Sequence, residues 1–215
     1  SESRGLGDVY KRQILSYVKD TQFSDLPHLR PPSLLVKAKT MTLDAVTLRN
    51  LEIVKTIGDS SKDTLFAVLN KTSTAGGSRK LKDWLLRPLH DLDKLNQRHD
   101  AVQELFDNTL SRREIKDILK GFQDVERLLS RLGHGSISPR DLDSLKTSLN
   151  TLKDLKQFLS EEPLKSKLMK RLVKSIDVHK QVSEKLEEAL VEEPPLVLRE
   201  GGIFKKGYSE ELDDL

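Results

Sequence analysis

The chain contains no cysteine. That absence excludes a disulfide framework, a thiolate zinc site, an iron–sulfur cluster and a thiol nucleophile, and it makes a reducing, cytoplasmic setting the expectation. Aromatic residues are only 5% of the sequence, and Gly and Pro number 11 and 8 in 215 residues, too few for a many-turned β-sandwich. Long apolar runs are missing as well. The longest unbroken one is the pentapeptide 65–69, against roughly 20 residues for a membrane-spanning helix, so no membrane partner is expected. Neither sign of charge dominates: 37 basic side chains face 34 acidic ones, for a net charge of +3. Bulk charge of that size does not define a nucleic-acid binder.

What is present favours helices. Apolar residues make up 36% and charged residues 33% of the chain, and the length suffices for a sizeable core without staples. The expected class is mainly α: a multi-helix, bundle-like core with a few short extended segments. Residues 1–13 lack apolar periodicity and read as a leader outside the fold. A short helix from Ile14 to Gln22 is ended by Pro27 and Pro31-Pro32, so 14–33 reads as a junction into a helical core over 34–208. Residues 34–36 and 41–43 read as short extended pieces, and Asp44 as the N-cap of a helix carrying Val46, Leu48, Leu51 and Ile53.

Further on, Ser60 or Ser61 is the expected cap of a helix with Leu65, Val68 and Leu69 inward. Ser73 or Thr74 caps the next, with Leu81, Trp84 and Leu85 inward until Pro88. Asp91 opens a helix in which Leu92, Leu95, His99, Val102 and Phe106 recur at spacings of three and four, the pattern of one buried stripe, with His99 facing the core. Helical stretches over 115–119 and 124–132 follow, separated near Gly121 and closed by Gly133 and Gly135. Ser138-Pro139 supplies a cap and a first-turn proline for the longest element, with Leu142, Leu145, Leu149 and Leu152 on one face. Pro163 is expected to start a second long helix reaching Leu190, making a helical hairpin. A small hairpin or extended connector over 196–208 and the start of another helix at 209–215 complete the reading.

Motifs that carry chemistry are few. No Gly precedes Lys anywhere, so the G-x-x-x-x-G-K-[ST] phosphate loop is absent. His28, His90, His99, His134 and His179 form no H-x-x-x-H pair and have no acidic partners at ligand spacing. The Gly-His-Gly-Ser run at 133–136 lacks the strand–turn–helix setting of a nucleophile elbow. The basic stretch 163–176 has more physical content. Lys167, Lys170, Arg171 and Lys174 fall at i, i+3, i+4 and i+7, a stripe able to follow a phosphate backbone. The same stripe also reads as an ordinary solvated face: it has no aromatic for base stacking and could neutralise only about four phosphates.

Several runs taken together are more specific than any single motif. They are Tyr17-Val18-Lys19-Asp20-Thr21-Gln22, Met41-Thr42-Leu43-Asp44-Ala45-Val46-Thr47-Leu48-Arg49-Asn50-Leu51-Glu52-Ile53, Gly76-Gly77-Ser78-Arg79-Lys80-Leu81-Lys82-Asp83-Trp84-Leu85-Leu86-Arg87-Pro88-Leu89, Arg98-His99-Asp100-Ala101-Val102, Asp124-Val125-Glu126-Arg127-Leu128-Leu129, Ser138-Pro139-Arg140-Asp141-Leu142, Arg199-Glu200-Gly201-Gly202-Ile203 and Gly207-Tyr208-Ser209-Glu210-Glu211-Leu212-Asp213. In order and spacing they resemble the core region of the MutS family of DNA mismatch-repair ATPases. The resemblance implies a non-catalytic core and lever segment, stopping where the lever helix toward a DNA clamp begins. It implies ATP and Mg as cofactors of the full-length parent and none in this chain, mismatched double-stranded DNA as the parent's partner, and a homodimeric parent. The alternative is a stand-alone helical DNA-binding or scaffold module. Asp44, Arg79, Arg98 and Arg127 lie inside the matched runs and read as salt-bridging or capping residues, or as exposed charges. Asn50, Pro88 and Asp124 share those runs. Gly76 and Gly77 sit early in a helix, where Gly costs about 1 kcal/mol relative to Ala, which points to close packing or a cap. Trp84 reads as a core anchor.

Overall fold

The computed structural model describes residues 13, 16 and 40–213. Apart from Gln13 and Ser16, the expected leader, the helix from Ile14, the proline linker and the extended piece 34–36 lie outside the described residues. Backbone contacts divide the chain into two units, 1–36 and 37–215.

Among the described residues the helices are α1 (Ala45–Asn50), α2 (Leu65–Leu69), α3 (Ala75–Leu86), α4 (Leu92–Asp107), α5 (Thr109–Ile118), α6 (Val125–Gly133), α7 (Pro139–Glu161), α8 (Lys167–Ser175), α9 (Lys180–Ala189) and α10 (Glu210–Asp213), with 3-10 turns at Leu119–Gly121 and Leu198–Glu200. The fold is mainly α. Extended pairing among the described residues is confined to two isolated antiparallel bridges, Thr40 with Leu89 and Leu190 with Phe204. The first takes the place of the expected extended piece at 41–43. The second makes the tail a loose hairpin, whose turn uses Gly201 and Gly202 at φ 67° and 64°, a region glycine enters without steric cost.

Short polar side chains set the helix starts. Asp44, Thr64, Thr74, Asp91, Asn108, Asp124, Ser138 and Ser166 each accept a hydrogen bond from a backbone N–H in the first turn they cap, satisfying a donor the helix cannot. At α2 the cap is Thr64, not Ser60 or Ser61. Thr64 is 1% exposed, and its hydroxyl also donates to the Ser61 carbonyl; the serines upstream are too far from α2 to replace it. Ser138 and Asp141 form a reciprocal capping box ahead of Pro139, which fixes the start of the longest helix.

That helix, α7, is the spine, and two separate apolar clusters form along it. Its N-terminal half contributes Leu145 and Leu149, which pack with Leu128 of α6, Val125 and Leu186 of α9. Its C-terminal half contributes Leu155, Phe158 and Leu159, which pack with Ala101 and Leu105 of α4, Ile115 of α5 and Met169 of α8. Within the span of the first cluster, Ser148 is fully buried; its hydroxyl accepts from Gln123 N and donates to Ser144 O.

Two expected helical readings are corrected here. The span 163–190 is two helices, not one. Ser166 caps α8 and leaves 163–165 outside it, and α8 ends at Ile176, whose carbonyl accepts from Lys156 Nζ. His179 then turns the chain at φ 45°, ψ 49°, its N–H donating to Asp177 Oδ1. The stripe Leu92, Leu95, His99, Val102 and Phe106 on α4 is not the buried one. Leu92, Val102 and Phe106 are 68%, 66% and 70% exposed, and His99 is exposed with them. Periodicity places these residues on one face but does not say which face meets a neighbour. The small Ala101 and Leu105, about a third of a turn away around the helix, take α8 and α7 instead.

Candidate functional site

The residues expected to carry function converge on α3. Its N-cap Thr74 accepts from Gly77 N at 3.0 Å. A Cβ on Gly77 would lie 3.0 Å from that hydroxyl and 3.4 Å from Thr72 Cβ, so close packing at the cap explains this glycine. Gly76 has only the tip of Arg79 at 4.0 Å, and the structure gives no packing reason for it.

One turn on, Arg79 reaches the start of α6. Its Nη1 donates to Asp124 Oδ2 at 2.9 Å and its Nη2 to Asp124 Oδ1 at 2.8 Å, a two-pronged geometry that a lysine could not reproduce. Nη2 also lies 2.6 Å from Glu126 Oε2. Asp124 Oδ1 in turn accepts from Arg127 N and caps α6. The guanidinium beside it holds the Asp124 carboxyl below the usual carboxylate range, with the Arg127 N–H adding to the effect against partial burial. Arg79 itself is shifted upward, chiefly by its hydrogen bond to Asp124.

Trp84, on the next turn of α3, reaches α4. The Arg98 guanidinium stands 3.7 Å from the centre of the Trp84 ring, a cation–π contact worth about 0.5–1 kcal/mol at an exposed site. Burial lowers the Arg98 pKa, partly offset by the field of Asp83. Trp84 is 38% exposed, so it is a bracket for Arg98 at the surface and not a core anchor. Past the end of α3, Pro88 O accepts from Met41 N at 2.7 Å, joining the Thr40–Leu89 bridge.

Arg79 with Asp124 and Trp84 with Arg98 thus fasten α3 to α6 and α4, while Gly77 and Arg127 serve the caps of their own helices. Asp44 and Asn50 stand apart on α1. Asp44 accepts from Thr47 N at 2.6 Å, which lowers its carboxyl pKa, and Asn50 is the exposed last residue of that helix. Glu126 has no distinguishing signal in the sequence, although it lies within a matched run. Cross-helix partners forty or more residues apart leave no periodic signal.

The basic stripe maps onto α8. Lys167, Lys170, Arg171 and Lys174 are all exposed. At its N-terminal end the helix borders an open groove whose other wall, on α4, carries Asp93, Asp100, Glu104 and Asp107. Glu104 caps α8 from across this groove, accepting from Lys165 N and Ser166 N. Burial pushes the Glu104 carboxyl up, and the two N–H donors bring it below its ordinary value. Phosphates approaching this end of the stripe would meet carboxylates. Among the described residues no group of three or more His, Asp or Glu is placed to hold a metal ion.

Charged and ring contacts thus tie α3 to α6 and α4. A sequence model of the family described as MutS domain III matches residues 46–214. The chain is 41% identical to the DNA mismatch repair protein MutS of Methanosarcina acetivorans over 205 residues, covering 94% of this chain and 23% of that protein. It is 40% identical to the protein of that name from Halothermothrix orenii over 204 residues (94% and 22%), and 36% identical to that of Methanothrix thermoacetophila over 228 aligned residues (100% and 26%). The chain spans about a quarter of the length of these curated relatives. It belongs to the MutS domain III family.

Proposed function

We propose that this segment is the non-catalytic core of a MutS-type mismatch-repair ATPase and transmits the nucleotide state to the clamping of mismatched DNA. The Arg79–Asp124–Glu126 junction carries this reading. It couples α3 to the N-terminus of α6, and α6 is packed on the α7 spine. A displacement applied at either end of such an assembly moves packed helices as bodies, because packed interfaces slide or switch and do not stretch. ATP and Mg belong to other parts of the parent, which acts on mismatched duplex DNA, as a homodimer, in the cytoplasm.

The test is a chimera in which this chain replaces the matching segment of the Methanosarcina acetivorans protein. Arg79→Ala is expected to leave ATP hydrolysis and mismatch binding present but to weaken the response of DNA affinity to ATP by threefold or more. An Arg79→Ala chimera with an unchanged ATP response and an unchanged unfolding midpoint overturns the role of the junction.

A further inference from the structure

The α8 stripe is a single row of cations beside an acidic wall. A different set of cations converges from two separate parts of the chain. The loop between α2 and α3 brings Lys71, Thr72 and Ser73 to one side of an open groove. The first two turns of α5 bring Arg112, Arg113 and Lys116 to the other, and among the described residues no carboxylate lines it.

The charges in this groove are not neutralised within the described residues. Lys71, Arg113 and Lys116 are exposed and have no ion-pair partner there. Arg112 is held in place by neutral groups: Nη1 donates to the carbonyls of Leu105 and Phe106 at 2.8 Å each, and Nη2 to Thr109 Oγ1 at 3.3 Å. The nearest acid on α5, Asp117, sits beyond Arg113 around the helix and pairs with Lys120, although the fields of Lys116 and Arg113 reach it. The start of α3 adds no free donor at Gly77, since its N–H is already given to Thr74. Like charges gathered in a concavity repel one another and focus a positive potential there, a cost that a bound polyanion removes. Among the described residues Ile115 and Leu119 are the only large apolar ones lining the groove, and none of those lining it is aromatic, so it suits phosphates and offers no slot for a stacked base.

We infer that this groove, between the α2–α3 loop and α5, binds the phosphate backbone of duplex DNA, and that the α8 stripe does not. The assignment to a DNA repair protein guides only the choice of probe. The coupling reading can fail in the chimera while this site binds DNA, and the reverse is equally possible.

The test uses the full chain and a fluorescein-labelled, fully paired DNA duplex, with anisotropy read across a salt series. Lys71→Glu/Arg113→Glu/Lys116→Glu is expected to weaken binding at least tenfold and to flatten the logarithmic salt dependence by about two to three, at roughly 0.9 for each phosphate no longer neutralised. Lys170→Glu/Arg171→Glu is expected to change affinity less than twofold. Should the triple reversal lower the unfolding midpoint, Lys71→Gln/Arg113→Gln/Lys116→Gln replaces it, with the same flattening expected. Four results overturn the inference: no duplex binding by the wild-type chain at low salt, wild-type affinity in the folded triple variant, an equal loss from the α8 reversal, or displacement of the duplex by inorganic phosphate at matched ionic strength. The last would mark a site for free anions instead.

Discussion

Gly121 closes the 3-10 turn after α5, where it faces Thr151 of α7. A Cβ there would lie 2.8 Å from Thr151 Oγ1, and that hydroxyl is pinned by its bond to Thr147 O at 2.9 Å. Gly121→Ala is therefore expected to cost about 1–3 kcal/mol in urea unfolding, and Thr151→Ala in the same chain to recover a substantial part of it. Asp141 gives a residue-level pH prediction. Ser138 N donates to its carboxylate and Arg131 Nη1 lies 2.6 Å away. The Ser138 bond leads in holding this carboxyl below its ordinary value of 3.8, against burial and with help from Arg131. A lowered folded-state pKa means that the stabilisation is complete above the unfolded value and disappears as pH falls through the folded one. Asp141→Asn should cost about 1 kcal/mol at neutral pH, and the gap to wild type should narrow below pH 3.8. A gap that stays constant down the acid range would assign the loss to packing.

At the level of elements, the break between α8 and α9 and the exposed stripe of α4 can each be checked. His179 holds φ 45° with no glycine's freedom, a conformation that costs a side-chain-bearing residue about 1–2 kcal/mol. His179→Gly is expected to raise stability by up to about 1 kcal/mol, and His179→Val to lower it by a similar amount, since a branched Cβ tolerates this region worst. Equal effects of the two would mean that the 163–190 span relaxes toward a continuous helix. On α4, Phe106→Ser is expected to change the unfolding free energy by less than about 0.5 kcal/mol, as at other exposed positions. A loss of about 3–5 kcal/mol, typical of a phenylalanine removed from a core, would restore the inward stripe that the spacing suggests.

Across the whole molecule, the two clusters on α7 make one helix serve two cores. Leu149 belongs to one and Leu159 to the other, each under a tenth exposed, and they stand roughly 15 Å apart along the axis. Leu149→Ala and Leu159→Ala should each cost about 2–5 kcal/mol, and the double variant should show their sum within about 0.5 kcal/mol. A marked excess or shortfall would show that the spine transmits strain between its ends, the property the proposed coupling role uses. The charged fastenings of α3 contribute little to such a sum, since exposed ion pairs are worth about 0–1 kcal/mol. Their value lies in fixing which helices move together.

Helical class, most of the helix starts and the family are legible in the order of residues alone. Caps act over three residues, so Asp44, Thr74, Asp91, Asp124 and Ser138 announce their helices locally, and the ordered runs around Arg79 and Asp124 are one-dimensional facts. That order does not determine which face of a helix finds a partner. The α4 stripe has a core's spacing and stays in water because Ala101 and Leu105, not Leu92 and Phe106, lie against α7 and α8. The end of α8 was equally hidden, because it depends on Lys156 reaching Ile176 O from another helix. Only tertiary structure decided how charge is distributed in space: the basic row of α8 borders an acidic wall, whereas Lys71 and Arg113, forty-two positions apart in the chain, share a groove. Electrostatic fields add over distance in three dimensions, and sequence separation has no part in that sum.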